Sequence, residues 1–565
     1  MSDVKKPFGI DLGTTYSAIA HLDSTHRPDA IENREGDKTT PSVIVFDPSG
    51  EIVVGREAKN EAVMNPDRVV EMVKRYMGSE GWQRTIDGVD WTPEKLSALI
   101  LGKLARDASD ATGVTVEDVV ITHPAYFTDV ERAATRAAGT IAGLNVLGLI
   151  EEPVAAAFAY SMTAEEELEG NVLVYDLGGG TFDACVISVK PAGDGKDISV
   201  VVTEGQRTLG GKDWDARVLG YALSEFGART GMDLDAYGNG AMGEEAALRY
   251  REMLQELTGK VEEAKRALSQ PQKPKARIPM AFEGSRETLE LTREQFDEMT
   301  ADLLLQTIDL TRQAVEKARE KGVDRIDAVL LVGGSSRMLQ VESAVTDLMG
   351  FQPRLFEPDL AVAKGAAFVA MHKELFKPET VAEPVFGEPP VAPEPVSQEK
   401  AAERAEELQL GAVGDQIRGT SFVIVNAHSL GVVAVDDSTS PPSYQVSHII
   451  PAQTQLPCSE THTYGTYDEG QQSVVVEVKQ GDSDLPEDCY DLGQVPLTLP
   501  RPMPRGTAIE VTFTLDAEGL LAVTALQPDT GAVVNAPVER PATMTADAIA
   551  AAAQQHAGHI QQMRD

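Results

Sequence analysis

The chain is short of cysteine and of basic residues, and each shortage excludes a class of function. Its three cysteines, Cys185, Cys458 and Cys489, are too widely spaced for a CxxC metal site or an obvious disulfide framework, so we expect reduced thiols. Against 89 acidic residues stand only 50 basic ones, which gives a formal net charge of -39. A surface of that sign repels polyanions, so nucleic acids and anionic membranes are excluded as general partners.

Long apolar runs are also missing. No uninterrupted run approaches the ~18 residues of a membrane span. The N-terminus reaches Asp11 before any stretch long enough for a signal peptide, so we expect a cytoplasmic protein with no membrane partner. The 565 residues are too many for one hydrophobic core and indicate three or four domains.

The most informative feature that the sequence does contain is a short segment that occurs twice. Residues 8–15, FGIDLGTT, and residues 173–181, LVYDLGGGT, each combine an apolar strand, an aspartate and a glycine turn that ends in threonine. An aspartate at a strand end presents a carboxylate, while the glycines let backbone amides approach a ligand closely. One copy alone would favour ordinary turns, but two copies predict a duplicated nucleotide-binding unit with the ligand between its halves.

Asp11 and Asp176 would face each other across that cleft. Two carboxylates tolerate this arrangement only with a cation, or with ordered water and phosphate, between them, and Mg²⁺ is the natural choice. Backbone amides and hydroxyls around them could bind phosphate oxygens, and the residues that supply these groups are Gly13, Thr14, Thr15, Gly178, Gly179, Gly180 and Thr181.

Hydrolysis also needs a group that orients the attacking water and one that neutralises charge on the transferred phosphoryl group. Lys74, in the sequence VKRY, and Glu152, just before Pro153, are the candidates. From spacing alone, Glu152 is better interpreted as a residue that stabilises the N-terminus of an alanine-rich helix.

A nucleoside needs a third element. Glu262, Lys265, Arg266 and Ser269 share one helix face, which either brackets a ribose and base or is a solvated salt-bridge face. Residues 328–337, AVLLVGGSSR, form a buried strand that opens through two glycines and places Arg337 to stack on a base.

The pattern along the chain divides it into parts. From residue 6 to about 376, strands alternate with alanine-rich helices in an α/β pattern. Residues 377–407, which include six prolines between 378 and 395 and few large apolar residues, predict a disordered or semi-extended linker. Residues 421–540 are all-β, with a hairpin turn at 516–519, and one helix with Thr545 as its N-cap follows.

In their order, these motifs resemble the DnaK-type heat shock protein 70 chaperones. Segments such as DLGTT also occur in the wider actin and sugar-kinase superfamily, whereas the ordered set is specific to these chaperones. The matching segments are IDLGTTYS (10–17), VKR (73–75), ITHPAYF (121–127), EPVAAA (152–157), DLGGGTFD (176–183), LGGKDWD (209–215), EEAKRALS (262–269), VGGSSR (332–337) and PD (358–359), with weaker matches SLG (429–431), QG (480–481), PRG (504–506) and IEVTF (509–513).

The resemblance implies a fold and a function. The fold would be an actin-like ATPase domain of two duplicated lobes (1–376), a linker (377–420), a β-sandwich peptide-binding domain (421–540) and a short C-terminal helix (541–565) that is a remnant of the family's lid. The function would be ATP hydrolysis coupled to binding of exposed apolar segments of unfolded proteins. ATP or ADP and Mg²⁺ would be the cofactors, and a J-domain co-chaperone and a nucleotide-exchange factor are candidate partners.

The resemblance also assigns roles to residues. Asp11 and Asp176 would hold magnesium through water, and Pro124 and Arg132 would relay the nucleotide state to the β domain. Lys74, Glu152, Asp176 and Thr181 would be catalytic. The remaining nucleotide contacts would come from Gly13, Thr14, Thr15, Tyr16, Gly178, Gly179, Gly180, Gly210, Gly211, Glu262, Lys265, Arg266, Ser269, Gly333, Gly334, Ser335, Arg337 and Asp359.

Two parts depart from the family's pattern. The stretch aligned with its linker, 421–425, lacks the usual acid, although an apolar segment of this kind could still add a strand to a sheet edge. In the peptide groove, Val435 and Tyr467 replace the residues of the arch and Val474 matches the central pocket. With most of the lid missing, peptide release should be fast.

Two other functions fit part of this sequence. An ATP-binding switch or scaffold, whose β domain binds one fixed partner, is favoured by the missing lid and by Tyr467. A small-molecule kinase of the same superfamily is disfavoured by the appended β domain.

Overall fold

The computed structural model describes residues 6–79, 81–163, 169–377, 396–436, 441–537 and 544–564, with the side chains of 535–537 left aside. Within these ranges, no helix is both long enough and apolar enough to cross a membrane.

Residues 6–163 form the first lobe, lobe I. Its elements are β1 (Phe8–Asp11), β2 (Tyr16–Leu22), β3 (Pro28–Ala30), β4 (Thr40–Pro41), β5 (Ile44–Phe46), β6 (Ile52–Val54), α1 (Arg56–Glu61), β7 (Val69–Val70), a 3-10 helix (Val73–Tyr76), β8 (Arg84–Ile86), β9 (Val89–Trp91), α2 (Pro93–Thr112), β10 (Asp118–His123), α3 (Asp129–Ile141), β11 (Asn145–Glu151) and α4 (Glu152–Thr163).

Residues 169–355 form lobe II, and one further helix then returns to lobe I. The elements are β12 (Gly170–Leu177), β13 (Phe182–Ala192), β14 (Gly195–Gln206), α5 (Gly211–Thr230), α6 (Leu234–Gly238), α7 (Glu244–Leu268), β15 (Lys275–Phe282), β16 (Ser285–Thr292), α8 (Arg293–Met299), α9 (Ala301–Glu320), β17 (Ala328–Val332), a 3-10 helix (Gly334–Arg337), α10 (Leu339–Met349), β18 (Arg354–Leu355) and the returning helix α11 (Ala361–Leu375).

The rest of the chain contains two short helices, a β domain and a last helix. These elements are α12 (Gln398–Glu407), α13 (Gly411–Arg418), β19 (Ser421–Val423), β20 (Leu430–Asp436), β21 (Ser443–Ile450), β22 (Cys458–Gly465), β23 (Gln471–Gln480), β24 (Tyr490–Met503), β25 (Ala508–Leu515), β26 (Leu521–Gln527), β27 (Ala532–Pro537) and α14 (Ala546–Gln562).

The two lobes repeat one topology. In lobe I, β1 pairs antiparallel with β2 and parallel with β10; in lobe II, β12 pairs antiparallel with β13 and parallel with β17. The strand orders are β11-β10-β1-β2-β3, with β4 also paired to β2, and β18-β17-β12-β13-β14-β19. The predicted duplication is therefore confirmed, and it places the ends of β1 and β12, with their aspartates, at equivalent positions.

The β domain is a sandwich of two four-stranded sheets. Their orders are β21-β20-β23-β24 and β22-β25-β26-β27, and the inward residues Val478, Val495, Phe513 and Val523 are buried in one core. Alternation of buried and exposed residues along β24 to β26 explains why these segments pair as half-buried strands. The predicted turn closes between β25 and β26, where the Gly519 amide donates to the Asp516 carbonyl.

The prediction of a disordered or semi-extended linker is wrong for its second half. Residues 398–418 form α12 and α13, whereas 378–395, which hold all six prolines, lie outside the described residues. The helices form because Ser397 caps α12 and because small and apolar residues, such as Ala401, Ala405 and Ile417, lie on one buried side.

The β domain is docked on both lobes. Strand β19 pairs parallel with β14, so the acidless linker does add a strand to the sheet edge. The Leu521 amide donates to Asp129 Oδ1 over 2.9 Å. Glu518 forms ion pairs with Arg136 and with Lys373, the latter at 2.9 Å. The turn 516–521 therefore joins the β domain to α3 and α11.

Helix α14 lies against α2 and α3 of lobe I. Thr545 caps it as predicted, its side chain accepting from the Ala548 amide. Its buried contacts come from Ala552 and His556, and the His559 ring lies 4.8 Å from that of Trp91. Arg564 then forms ion pairs with Glu51 and Glu61. The C-terminal helix is thus packed on the first lobe.

Acid should weaken this packing. Burial lowers the pKa of His556 to about 4, with His559 adding to the effect. Because the pKa is below its ordinary value of about 6.5, the unfolded or released helix binds more protons, and the packing is fully stable above pH ~6.5 and is lost as pH falls toward 4. Trp91 fluorescence should report release of α14 over that range.

His556→Gln provides the matched control, since glutamine stays neutral at every pH. In this variant the fluorescence change between pH 6.5 and 4 should shrink or disappear. An unchanged transition would show that His556 does not govern the packing of α14.

Candidate active site

A cavity of about 670 Å³ lies between the two lobes, and most of the predicted nucleotide residues line it. Gly180, Gly210 and Gly211, although predicted as contacts, are not among its lining residues. The predicted residues that do line it are Asp11, Gly13, Thr14, Thr15, Tyr16, Lys74, Glu152, Asp176, Gly178, Gly179, Thr181, Glu262, Lys265, Arg266, Ser269, Gly333, Gly334, Ser335, Arg337 and Asp359.

The two glycine-threonine turns touch each other at the base of the cavity. A Cβ at Gly179 would lie 2.2 Å from Thr15 Oγ1, and one at Gly180 would lie 2.3 Å from Thr14 Cγ2. A Cβ at Gly210 would lie 2.5 Å from the Gly180 nitrogen. Gly180 and Gly210 therefore lie one layer behind the cavity wall, where the lack of a side chain lets the turns pack closely together.

Asp11 and Asp176 are buried close to further carboxylates, which makes their ionised forms unfavourable unless a cation is bound. The Thr122 hydroxyl donates to Asp11 over 3.2 Å. Burial raises the pKa of Asp11 to about 7, and Glu152 adds to the shift. Burial, Glu152, Asp183 and Asp11 together hold the pKa of Asp176 well above its usual range. An excess of buried carboxylate charge fits a divalent cation, which would restore both groups to their ionised form.

Lys74 and Glu152 form a buried ion pair at the cavity wall. Lys74 Nζ lies 2.5 Å from Glu152 Oε1, and the lysine side chain is 4% exposed. Glu152 is the first residue of α4, so it does occupy a helix N-terminus, as its spacing suggested. The ion pair with Lys74 shows that Glu152 does more than stabilise the N-terminus of α4.

Glu262 is the centre of a charged network, and on its helix face Glu262 and Lys265 are buried while Arg266 is largely exposed. Lys59 Nζ lies 2.7 Å from Glu262, Arg266 lies 2.7 Å from it, and the Tyr16 hydroxyl donates to it over 3.3 Å. Burial would raise the pKa of Glu262, but Lys59, Lys212 and Arg266 together lower it to about 2. The carboxylate is therefore a permanent anion at the cavity wall.

Sequence reasoning missed several partners of these residues. Lys265 forms an ion pair with Asp215 at 2.8 Å and donates to the Gly211 carbonyl. Asp215 belongs to the LGGKDWD segment, so that motif could have predicted its place in the site. No motif near Lys59 indicated that this lysine contacts α7. Arg75 was also missed, although it follows Lys74 directly.

Arg75 joins the two lobes. Its Nε donates to the Gly180 carbonyl over 2.9 Å, and its Nη2 lies 2.5 Å from Asp213. This contact ties the 3-10 helix that carries Lys74 to the second glycine turn. The position of Lys74 in lobe I is therefore tied to that of the second glycine turn in lobe II.

At the mouth of the cavity, Arg337 forms an ion pair with Asp359. Both residues were predicted to surround the nucleoside, and both are nearly half exposed. The pair orients the guanidinium group, and its stacking on a base stays a prediction.

The segment 122–132 runs from the cleft to the β domain. Thr122 contacts Asp11 at one end, and Pro124 follows, its carbonyl 2.8 Å from His123 Nδ1. At the other end Arg132, buried in the first turn of α3, donates to the carbonyls of Glu518 and Gly519. A capping box of Thr128 and Glu131 starts that helix. Pro124 and Arg132 thus lie on one continuous path between the two sites.

The three predicted groove residues lie on the β domain. Val435, on β20, is 36% exposed, and Val474, on β23, is half-buried. Tyr467 is 42% exposed, with the Arg505 guanidinium 5.2 Å from its ring centroid. The arginine fixes the tyrosine ring at the domain surface.

The comparisons with known proteins agree with this arrangement. A family model described as Hsp70 protein matches residues 7–87, 79–383 and 416–564. The chain belongs to the Hsp70 family. Relatives named "Chaperone protein DnaK", from Halobacterium salinarum strains R1 and NRC-1, are each 36% identical over 533 residues, which is 93% of this chain and 74% of theirs. As an Hsp70, the chain is an ATP-dependent molecular chaperone that hydrolyses ATP and binds unfolded polypeptides.

One part of this Hsp70 lies outside the family match. Residues 384–415 fall between the matched regions, and they include all of α12 and the first turn of α13. Membership of the family therefore gives no function to this insertion.

Proposed function

We propose that the cleft binds Mg-ATP between the two glycine turns and that Lys74 and Glu152 carry out the hydrolytic step. The observation that supports this most strongly is the convergence of Asp11, Asp176 and the Lys74–Glu152 ion pair on one cavity. Bound magnesium would neutralise the phosphate charge and orient the phosphates for in-line attack. Asp11 and Asp176 would hold it through its water ligands.

The remaining residues then have separate tasks. Glu152 accepts a hydrogen bond from the attacking water, and Lys74, held in place by Glu152, donates to the γ-phosphate. The Thr181 hydroxyl lies in the same wall and positions the γ-phosphate. On the opposite wall, Glu262 and its basic partners bind the ribose, and Arg337 packs on the base.

The family membership also supports proposals about the whole chain. We propose an ATPase domain at 1–376, a linker at 377–420, a peptide-binding domain at 421–540 with Val435, Tyr467 and Val474 in its groove, and a lid remnant at 541–565. A J-domain co-chaperone and a nucleotide-exchange factor would be its partners, and the cytoplasm its location.

Magnesium-dependent nucleotide binding tests the site directly. Removal of Mg²⁺ with a chelator should weaken ATP binding to the unmutated chain about 100-fold or more, because several charged contacts run through the cation. In Asp176→Asn, where one carboxylate is neutral, the chelator should have much less effect. Titration calorimetry with and without the chelator measures both affinities.

Asp118→Asn is the matched control. Asp118 is buried at the start of β10, forms an ion pair with Lys377 at 3.5 Å and is not among the residues that line the cavity. Its substitution should leave the magnesium dependence unchanged. Equal magnesium dependence in Asp176→Asn and the unmutated chain would remove Asp176 from the metal site.

A further inference from the structure

The insertion between the ATPase domain and the β domain is a helical hairpin that leads straight into the interdomain strand. We name residues 396–420 the linker hairpin. Its helices α12 and α13 are joined by residues 408–410, where Gln409 adopts a positive φ of 55 degrees to reverse the chain. Thr420, its last residue, directly precedes β19.

The linker hairpin is packed against the ATPase domain through an apolar face. Ala401, Ala405, Leu410 and Ile417 are buried and belong to the same hydrophobic core as Phe158 of α4 and Phe368 of α11. Glu399, Glu403, Glu406 and Glu407 are exposed on its outer side. An amphipathic pair of helices with a buried face is a structural element and not a free tether.

Arg404 anchors the hairpin to the end of α11. Its Nη1 donates to the carbonyls of Glu374, Leu375 and Lys377 at 3.4, 2.9 and 2.6 Å. The last carbonyls of a helix have no partner within the helix, so a cationic donor is strongly favoured there. Helix α11 packs tightly on α4, since a Cβ at Gly365 would lie 1.8 Å from the Ala155 carbonyl oxygen. The anchor is therefore fixed to the core of the ATPase domain.

The exit of the hairpin sets the register of the interdomain strand. Gly419 lies against Gly195. A Cβ on Gly195 would be 2.1 Å from the Gly419 carbonyl carbon. The Lys196 amide donates to Thr420 Oγ1 over 3.2 Å, and Ser421 Oγ donates to Asp197 over 2.6 Å. Phe422 then packs edge-on against Phe158, with ring centroids 4.8 Å apart. Release of β19 would therefore disrupt contacts that begin inside the hairpin.

We propose that the linker hairpin is a built-in clamp that keeps β19 paired with β14 after ATP has been hydrolysed. The physical reason is that its contacts do not reach the nucleotide: among the described residues, none between 396 and 420 lines the cavity. Loss of the γ-phosphate therefore removes no contact that the hairpin itself makes, and the Arg404 anchor and the buried face of the hairpin remain to hold β19. The nucleotide state is transmitted instead through the turn 516–521 and its contacts with α3.

Amide hydrogen exchange on the full chain tests the clamp. In the unmutated chain, the amides of 421–423 should exchange at similar rates with ATP and with ADP. With ADP bound, the amides of 421–423 should exchange about tenfold faster in Ile417→Ala and in Arg404→Ala than in the unmutated chain. Ile417→Ala removes a buried side chain, and Arg404→Ala removes a charged hydrogen-bonding group. Glu403→Ala, on the exposed side of the same helix, should exchange like the unmutated chain.

Two results would overturn the clamp. One is loss of protection at 421–423 in the unmutated chain when ADP replaces ATP. The other is unchanged protection in both variants. If Ile417→Ala loses protection across β12 and β17 as well, its ATPase domain has unfolded, and Arg404→Ala, which leaves the apolar core intact, decides the question.

Discussion

Lys74→Ala is expected to lower the steady-state rate of ATP hydrolysis about 100-fold or more, because it removes a donor placed where phosphoryl charge develops. ATP affinity should change little, since the Glu262 network and the glycine turns make most of the predicted binding contacts. The Lys74–Glu152 pair is buried, so the substitution also leaves Glu152 without its partner and should cost about 3–5 kcal/mol of stability. Turnover, ATP affinity and thermal stability must all be measured.

Lys103→Ala separates the chemical effect from the loss of stability. Lys103 forms an ion pair with Asp107 at 2.5 Å and is as buried as Lys74, but it does not line the cavity. Both variants should be less stable than the unmutated chain, but only Lys74→Ala should hydrolyse ATP more slowly. Equal rates in the two variants would mean that Lys74 has no catalytic role.

Glu518→Lys is expected to release the β domain from α3 and α11. The carboxylate of Glu518 pairs with Arg136 and Lys373, so a lysine there places three cations together at the interface. Close charge pairs across interfaces couple by about 1.5–7 kcal/mol, so the docked population should fall at least ~10-fold. Small-angle scattering with ATP should show a larger radius of gyration, and any response of ATP turnover to peptide should be lost.

Glu460→Lys makes the same charge change on an exposed position of β22. This variant should keep both the compact form and the peptide response. If Glu518→Lys behaves like Glu460→Lys, the turn 516–521 does not hold the domains together.

Short sequence patterns predicted those parts of the molecule whose structure depends on residues close together in the sequence. The strand-aspartate-glycine segments at Asp11 and Asp176 form the two equivalent strand ends, and the run 328–332 is β17. The cap of α14 at Thr545 and the turn before β26 follow from residues three or four positions apart. In these segments, local preference and tertiary packing favour the same structure.

The sequence could not predict contacts between distant segments. Lys59 meets Glu262 about 200 positions later, and no motif surrounds Lys59. The linker hairpin was missed because prolines before it dominated the composition, while its buried face consists of only two alanines, a leucine and an isoleucine. Docking of α14 on Trp91 likewise depends on the shape of lobe I.

The central claim is that the nucleotide cleft and the β domain are coupled, and peptide-dependent ATP turnover tests it most directly. The steady-state rate of the full chain should rise with the concentration of a permanently unfolded apolar peptide until it saturates. The path from Thr122 through Arg132 to Glu518 provides the physical connection. A rate that stays constant across unfolded peptides, at concentrations where they bind, would contradict the account.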